Sequence, residues 1–217
     1  MTSEKVHLLF SSGKDSLLNL YNLVELGAKP TLHYINYGQK SYKKEVAGLK
    51  YYAKKFELPY TIDNLELTCP PQISKGSPDE GVGSSNVVLR NIIILSYLIN
   101  KYQDKEVIQF WYYGAHKFRK GLYTDGVTSF MRKFSDLILG IEENICITST
   151  ISHLWDDEIM KTLAAKIDVD LSHIWFCDSD GNRSKGKFCG KCAKCAPILY
   201  DSKKYGYYEL IKNYFTA

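Results

Sequence analysis

Between Val6 and Thr150 the chain changes its hydrophobic period again and again. Val6–Phe10, Thr31–Tyr37, Tyr60–Leu67, Val107–Tyr113 and Ile145–Thr150 are short runs rich in β-branched and aromatic residues, and they read as strands. Between and after them, apolar residues recur at helical spacing. Leu17, Leu20, Tyr21 and Val24 predict a first helix with Gly27 at its cap, and Lys40–Phe56 predicts a second that stops before Pro59. Val87–Tyr102, Gly126–Leu139 and Asp156–Lys166 are the other expected helices. The third of the five is apolar nearly all round, which predicts burial on every side. Strands that alternate with helices pair in parallel, because parallel neighbours need a crossover connection. A doubly wound, mostly parallel α/β sheet with helices on both faces is therefore expected.

The alternation stops near residue 167. Residues 1–170 are expected to form the α/β domain, and 171–217 a cysteine-rich loop and helix packed on it as one structural unit. With 217 residues, 45% of them hydrophobic, the chain can bury a core and is no disordered polymer. The net charge of +4 leans toward anionic partners without the basic surface that a nucleic-acid binder carries, so nucleic acid is not the expected partner. The longest apolar run, Ile92–Ile99, is far short of the ~20 residues that span a bilayer. The first residues lack the apolar core of a secretory signal. A cytoplasmic location without membrane partners is expected, and disulfides are rare there. Cys69–Ser85 holds prolines and glycines and is expected to be a lid or substrate loop rather than a simple connector.

The sharpest chemical signal is Ser11-Ser12-Gly13-Lys14-Asp15-Ser16, which follows the first strand and opens the first helix. Such a turn aims several backbone N–H groups and the helix dipole at one point, where a phosphate can sit. Gly13 allows close backbone approach, and the serine hydroxyls can donate to phosphate oxygens. Asp15 is out of place for anion binding alone and suits a Mg²⁺ ligand. The plainer reading of the same residues is a serine-rich turn with an N-capping Ser or Asp. The spacing is not that of a Walker A loop.

The second signal is a group of cysteines. Four of the six, Cys177, Cys189, Cys192 and Cys195, fall within nineteen residues. Cysteines two residues apart on a tight turn can take adjacent corners of a tetrahedron, and four soft sulfurs point to a structural Zn²⁺ site. An iron–sulfur cluster is the minor option. Cys69 and Cys146 are isolated and read as inert thiols. His116 follows one strand end, and His153 and Trp155 follow the next; each reads as a loop residue or a contributor to a site at the sheet edge.

Together these features resemble the 7-cyano-7-deazaguanine synthases (QueC) of the N-type ATP pyrophosphatase, or PP-loop, superfamily. The resemblance runs from about Val6 to Tyr208. Phe10–Leu20 is similar to the family's Ser-Gly-Gly-x-Asp-Ser ATP loop, with Ser12 in place of the first glycine. Ser12 suits that place if the backbone there is not left-handed. Asn36-Tyr37-Gly38-Gln39 resembles its Asp-Tyr-Gly-Gln, and Arg90-Asn91 ends what is there Pro-Gly-Arg-Asn, with Val88-Leu89 here. Tyr123 and Asp125 match its substrate segment, whereas Gly126-Val127 stands in place of Cys-Arg. The four tail cysteines match its zinc ligands.

The resemblance implies an adenine nucleotide alpha hydrolase-like, Rossmann-like fold, with ATP, Mg²⁺ and Zn²⁺ as cofactors and a homodimer as the assembly. It implies a ligase that turns 7-carboxy-7-deazaguanine and ammonia into the nitrile through an acyl-adenylate and an amide, releasing AMP and pyrophosphate. Lys14, Asp15 and Arg90 are the implied catalytic residues. Phe10, Ser11, Ser12, Gly13, Ser16, Tyr37, Gly38, Gln39, Asn91 and Asp125 are the implied binding residues. Two other activities share the pattern: a paralogue that conjugates the adenylated acid to a protein or other amine, and a PP-loop ligase that modifies tRNA.

Overall fold

The computed structural model describes residues 4–39, 41–67, 89–117, 127–166, 168–177, 187–192 and 194–216. The loop expected around Cys69–Ser85 and the segment holding Tyr123, Asp125 and Gly126 lie outside them. Five strands, β1 (Glu4–Leu9), β2 (Thr31–Asn36), β3 (Tyr60–Asn64), β4 (Ile108–Tyr112) and β5 (Ile145–Thr148), form one sheet in the order β3-β2-β1-β4-β5. All pairs are parallel, with Leu8 opposite both Leu32 and Tyr112. The chain first winds outward from β1 through β2 and β3, then returns to the other side of β1 with β4. The strand order therefore reverses at β1, and the crevice beyond the C-terminal ends of β1 and β4 is where such sheets bind ligands.

Period two decides which residues face which layer. Leu8, Phe10, Leu32 and Tyr34 pack into one cluster with α1 (Lys14–Glu25), α2 (Tyr42–Lys55) and α5 (Asp156–Ala165). Ile35, Trp111, Tyr113, Ile145 and Ile147 pack into a second with α3 (Arg90–Tyr102) and α4 (Thr128–Leu139). Two helical layers on one parallel sheet make the doubly wound, Rossmann-like fold. The expectation of an all-round buried α3 is corrected. Ile94, Leu95, Leu98 and Ile99 are buried, but Ile93 is 39% exposed and Ser96 and Asn100 face solvent. The sheet covers one side of that helix only, so one stripe carries its burial. Among the described residues no helix is long and apolar enough to cross a membrane.

Residues 171–177 and 187–216 do not form a separate core. Ile174, Trp175, Phe176, Phe188, Ile198, Ile211 and Phe215 join the same cluster as α1 and α2. Phe188 bridges Phe215 through backbone hydrogen bonds, and its ring stacks on Phe176 with centroids 4.0 Å apart. Helix α6 (Cys195–Lys204) and the short α7 (Tyr208–Ile211) follow. Tyr52 on α2 donates its hydroxyl to the carbonyl of Asp170 at 2.8 Å, tying the tail's entry to the helical layer.

Candidate active site and cysteine centre

The turn between β1 and α1 lies at the reversal of the strand order. Phe10 and Ser12 are fully buried, and Ser12 Oγ donates to the carbonyl of Glu45 at 3.1 Å, so both side chains point into the fold. Ser16 Oγ donates to the carbonyl of Gly13 at 3.1 Å and accepts from Ser11 N–H at 3.3 Å, which closes the turn on itself. Ser11 is exposed and its hydroxyl accepts from Gly13 N–H at 3.4 Å, so it stands at the mouth of the turn with the paired side chains of Lys14 and Asp15. Ser12 has φ +54°, so the backbone is left-handed where the sequence favoured an ordinary conformation. Leu89, at the start of α3, has φ +59°. Glycine takes such angles freely and other residues are strained there, so Ser12 and Leu89 both hold a backbone that suits glycine.

Asp15 is the charged centre of the crevice. Its Oδ1 lies 2.6 Å from Lys14 Nζ and 3.5 Å from His116 Nε2. Burial works to raise its carboxyl, but Lys14, His116 and Lys194 outweigh it and hold the group below the usual carboxylate range. An ionised, half-buried oxygen pair of this kind suits a hard cation. Burial lowers His116 below the ordinary histidine value even though Asp15 pulls the other way. Lys194 belongs to the tail, so the cysteine region contributes to the field at the turn.

At the end of β2 the structure brings Arg90 and Tyr37 together. Arg90 Nη1 donates to Tyr37 Oη at 3.3 Å, and its guanidinium lies 5.8 Å from the ring centroid. Arg90 Nε also donates to Asn91 Oδ1 at 3.4 Å. Gln39 is spent inside the fold. Its amide nitrogen donates to Tyr34 Oη, the Ile35 carbonyl and Glu45 Oε2, and its oxygen accepts from Tyr37 N–H at 2.9 Å. Gly38 turns the chain at the same point, and its N–H donates to Asn36 Oδ1 at 3.1 Å. Asp125 lies outside the described residues.

Two residues of this region escaped the sequence reading. Glu45 accepts from Tyr34, Gln39 and Ser41 while its carbonyl accepts from Ser12, so it joins the end of β2 to the Ser11–Ser16 turn. Asn19 is fully buried, donates to the Tyr113 carbonyl at 3.0 Å and accepts from Thr150 N–H at 2.8 Å. It staples α1 to the ends of β4 and β5. A polar residue between Leu18 and Leu20 on an apolar helix was the available signal.

Cys177, Cys189, Cys192 and Cys195 place their sulfurs within 4.8 Å of one another, and Cys177 Sγ lies 4.0 Å from Cys192 Sγ. A tetrahedral ion about 2.3 Å from each sulfur sets S–S edges of about 3.8 Å, so the group has the size of a single-metal site. An iron–sulfur cube, in which each cysteine binds a different iron, needs a wider spread. Gly190, φ +72°, makes the turn that brings Cys189 and Cys192 to one side, and Cys192 N–H donates to Cys189 Sγ at 3.4 Å. Thr216 Oγ1 donates to the Cys189 carbonyl at 3.1 Å, so the C-terminal residues brace the knuckle. These residues can hold a metal.

Residues 5–200 match the family described as queuosine biosynthesis protein QueC. The chain is 26% identical over 216 residues to the 7-cyano-7-deazaguanine synthase of Alteromonas mediterranea, covering 94% of this chain and 96% of that one. It is 27% identical over 207 residues to the synthase of the same name from Marinomonas sp., covering 89% and 90%. Among solved structures, it is similar to the U34-tRNA thiolase NcsA from Methanococcus maripaludis with its 4Fe-4S cluster, at TM-score 0.48 and 16% identity, covering 99% and 72%.

Proposed function

Because the chain belongs to the QueC family of queuosine biosynthesis proteins, we propose that it is an ATP-dependent carbon–nitrogen ligase converting 7-carboxy-7-deazaguanine and ammonia to 7-cyano-7-deazaguanine. The observation that carries this reading is the Ser11–Ser16 turn standing at the sheet's reversal point in a chain matched to the family over residues 5–200. The substrate carboxylate attacks the α-phosphorus of ATP, and pyrophosphate leaves. Ammonia then attacks the acyl carbon, expelling AMP and giving the amide. The amide oxygen attacks the α-phosphorus of a second ATP, expelling a second pyrophosphate, and loss of AMP with two protons leaves the nitrile.

The chain's share is binding and charge stabilisation rather than covalent catalysis. Ser11, Gly13 and the first N–H groups of α1 hold the departing pyrophosphate, and Lys14 offsets the charge that grows on it. Arg90, carried on the stack with Tyr37, takes a carboxylate or phosphate with its planar fork. Asp15 would hold Mg²⁺, which neutralises polyphosphate charge when bound. The four cysteines would hold Zn²⁺, which closes the tail as a structural centre with no open position. Incubation of the protein with Mg²⁺-ATP, 7-carboxy-7-deazaguanine and ammonium, followed by mass spectrometry, is the test. A nitrile with AMP and pyrophosphate supports the proposal. AMP release without nitrile assigns the conjugating activity instead, and no acid-dependent AMP release removes the deazapurine substrate.

A further inference from the structure

We propose that His116 is a positioning residue for Asp15, acting with the bare backbone of Gly114; the proposal rests on the ATP-cleaving reading above. The segment Tyr113–His116 leaves the end of β4 and runs beside the phosphate turn. It is held from both sides, since Asn19 donates to the Tyr113 carbonyl at 3.0 Å and Ser149 Oγ donates to the Ala115 carbonyl at 2.8 Å. A Cβ at Gly114 would stand 2.9 Å from Asp15 Cβ, closer than real Cβ atoms approach. The start of α1 at Asp15 therefore packs directly on that backbone, and a side chain at 114 would force the two apart and carry Asp15 with the helix.

His116 closes the other side. It is 3% exposed, its Nδ1 faces the Lys117 carbonyl at 3.2 Å, and its Nε2 faces Asp15 Oδ1 at 3.5 Å. The ring is buried and packs against Oδ1, so it limits where that oxygen can go. Lys14 reaches the same oxygen at 2.6 Å. Both contacts fall on Oδ1, and a cation held by Asp15 would take Oδ2. A carboxylate on an open turn has several rotamers, and a displacement of about 1 Å at a reacting centre can cost on the order of a hundredfold in rate.

The test compares His116→Ala, His116→Gln and Gly114→Ala for AMP release and by crystallography. His116→Ala is expected to lower kcat about 10- to 100-fold, with KM for ATP moved far less and the melting temperature within a few degrees of the parent. The glutamine amide reaches toward the same oxygen, so His116→Gln should restore most of kcat. Crystal structures should show Asp15 in a new rotamer in His116→Ala, the backbone at Asp15 displaced in Gly114→Ala, and the parent position in His116→Gln. An unmoved Asp15 in His116→Ala, or an unchanged kcat, overturns the positioning role. If the parent protein releases no AMP, the ATP reading fails, and the Asp15 rotamers alone still decide the role of His116.

Discussion

The backbone N–H of Trp175 donates to the carbonyl of Ser12 at 3.0 Å. One hydrogen bond thus joins the segment that leads into Cys177 to the left-handed residue of the Ser11–Ser16 turn. Lys194, one residue before Cys195, adds its charge to the field on Asp15. The cysteine centre is part of the frame of the crevice at the β1–α1 turn rather than a remote staple.

One zinc ion per chain is accordingly expected in purified protein, measured by elemental analysis. Cys192→Ser should lose it, melt lower and bind ATP more weakly, since structural zinc contributes directly to folding free energy. Nucleotide affinity unchanged in a zinc-free, folded variant would separate the two centres.

Asp15→Asn should leave the melting temperature within a few degrees and abolish Mg²⁺-dependent AMP formation, read by chromatography of the nucleotide products. The change removes the charge but keeps the shape, so a loss reports on the carboxylate itself. Products of ADP and phosphate in the parent would remove the pyrophosphatase chemistry altogether.

Leu89→Gly should stabilise the fold by about 1 kcal/mol, because a left-handed backbone strains every residue with a Cβ. Leu89 is 54% exposed, so little burial is lost with its side chain. Ser12→Gly relieves the same strain but gives up the hydrogen bond to the Glu45 carbonyl, worth about 1 kcal/mol, and should come out near neutral. Urea midpoints of the two variants check both signs. A destabilised Leu89→Gly would show that the strain is not there to relieve.

Stability should fall in mild acid through a buried histidine pair. His7 Nδ1 and His33 Nε2 are 2.9 Å apart, and His33 Nδ1 meets Thr61 Oγ1 at 2.9 Å. Thr61 donates on to Asp63, so each ring donates from Nδ1 and both are neutral. Burial, with Lys5 adding to it, pushes His7 down to about 4; burial and then His7 push His33 down to about 3, with Asp63 opposing. The unfolded chain takes up protons near 6.5 that the fold refuses, so stability is full above that value and declines as pH drops toward about 4. Asp63, whose carboxyl burial would raise but which Lys101 and Tyr102 hold below the usual range, acts in the same direction in stronger acid. Urea midpoints between pH 7.5 and 4.5 should slope downward, and His7→Phe should flatten the slope. An equal slope in the variant would assign the effect to other groups.

The element list was largely legible in the sequence, and the site only in part. Val6–Phe10 and Ile145–Thr150 announced their strands by composition, and the structure places β1 and β5 there with ends shifted by one or two residues. Gln39 matched a family motif, yet its amide is used within the network of Tyr34 and Glu45. No spacing in the sequence reveals that, because the partners sit on another element and meet only after the layers pack. His116 could be weighed as a loop histidine or a site residue, and the choice waited for its distance to Asp15.

What the sequence by itself determined is local: the alternation of periods, the turn at Ser11–Ser16, and cysteines spaced to meet round one ion. Period, turn chemistry and short-range spacing act within a few residues, so they survive without the rest of the fold. The tertiary structure decided that β4 lies beside β1, and so that Gly114 and His116 confine Asp15 from about a hundred residues away. It also decided that Ser12 and Leu89 take a glycine's backbone, and that Trp175 closes on the Ser11–Ser16 turn. These depend on burying apolar faces against one another across the whole sheet. That free energy belongs to the packed layers and to no single stretch of chain.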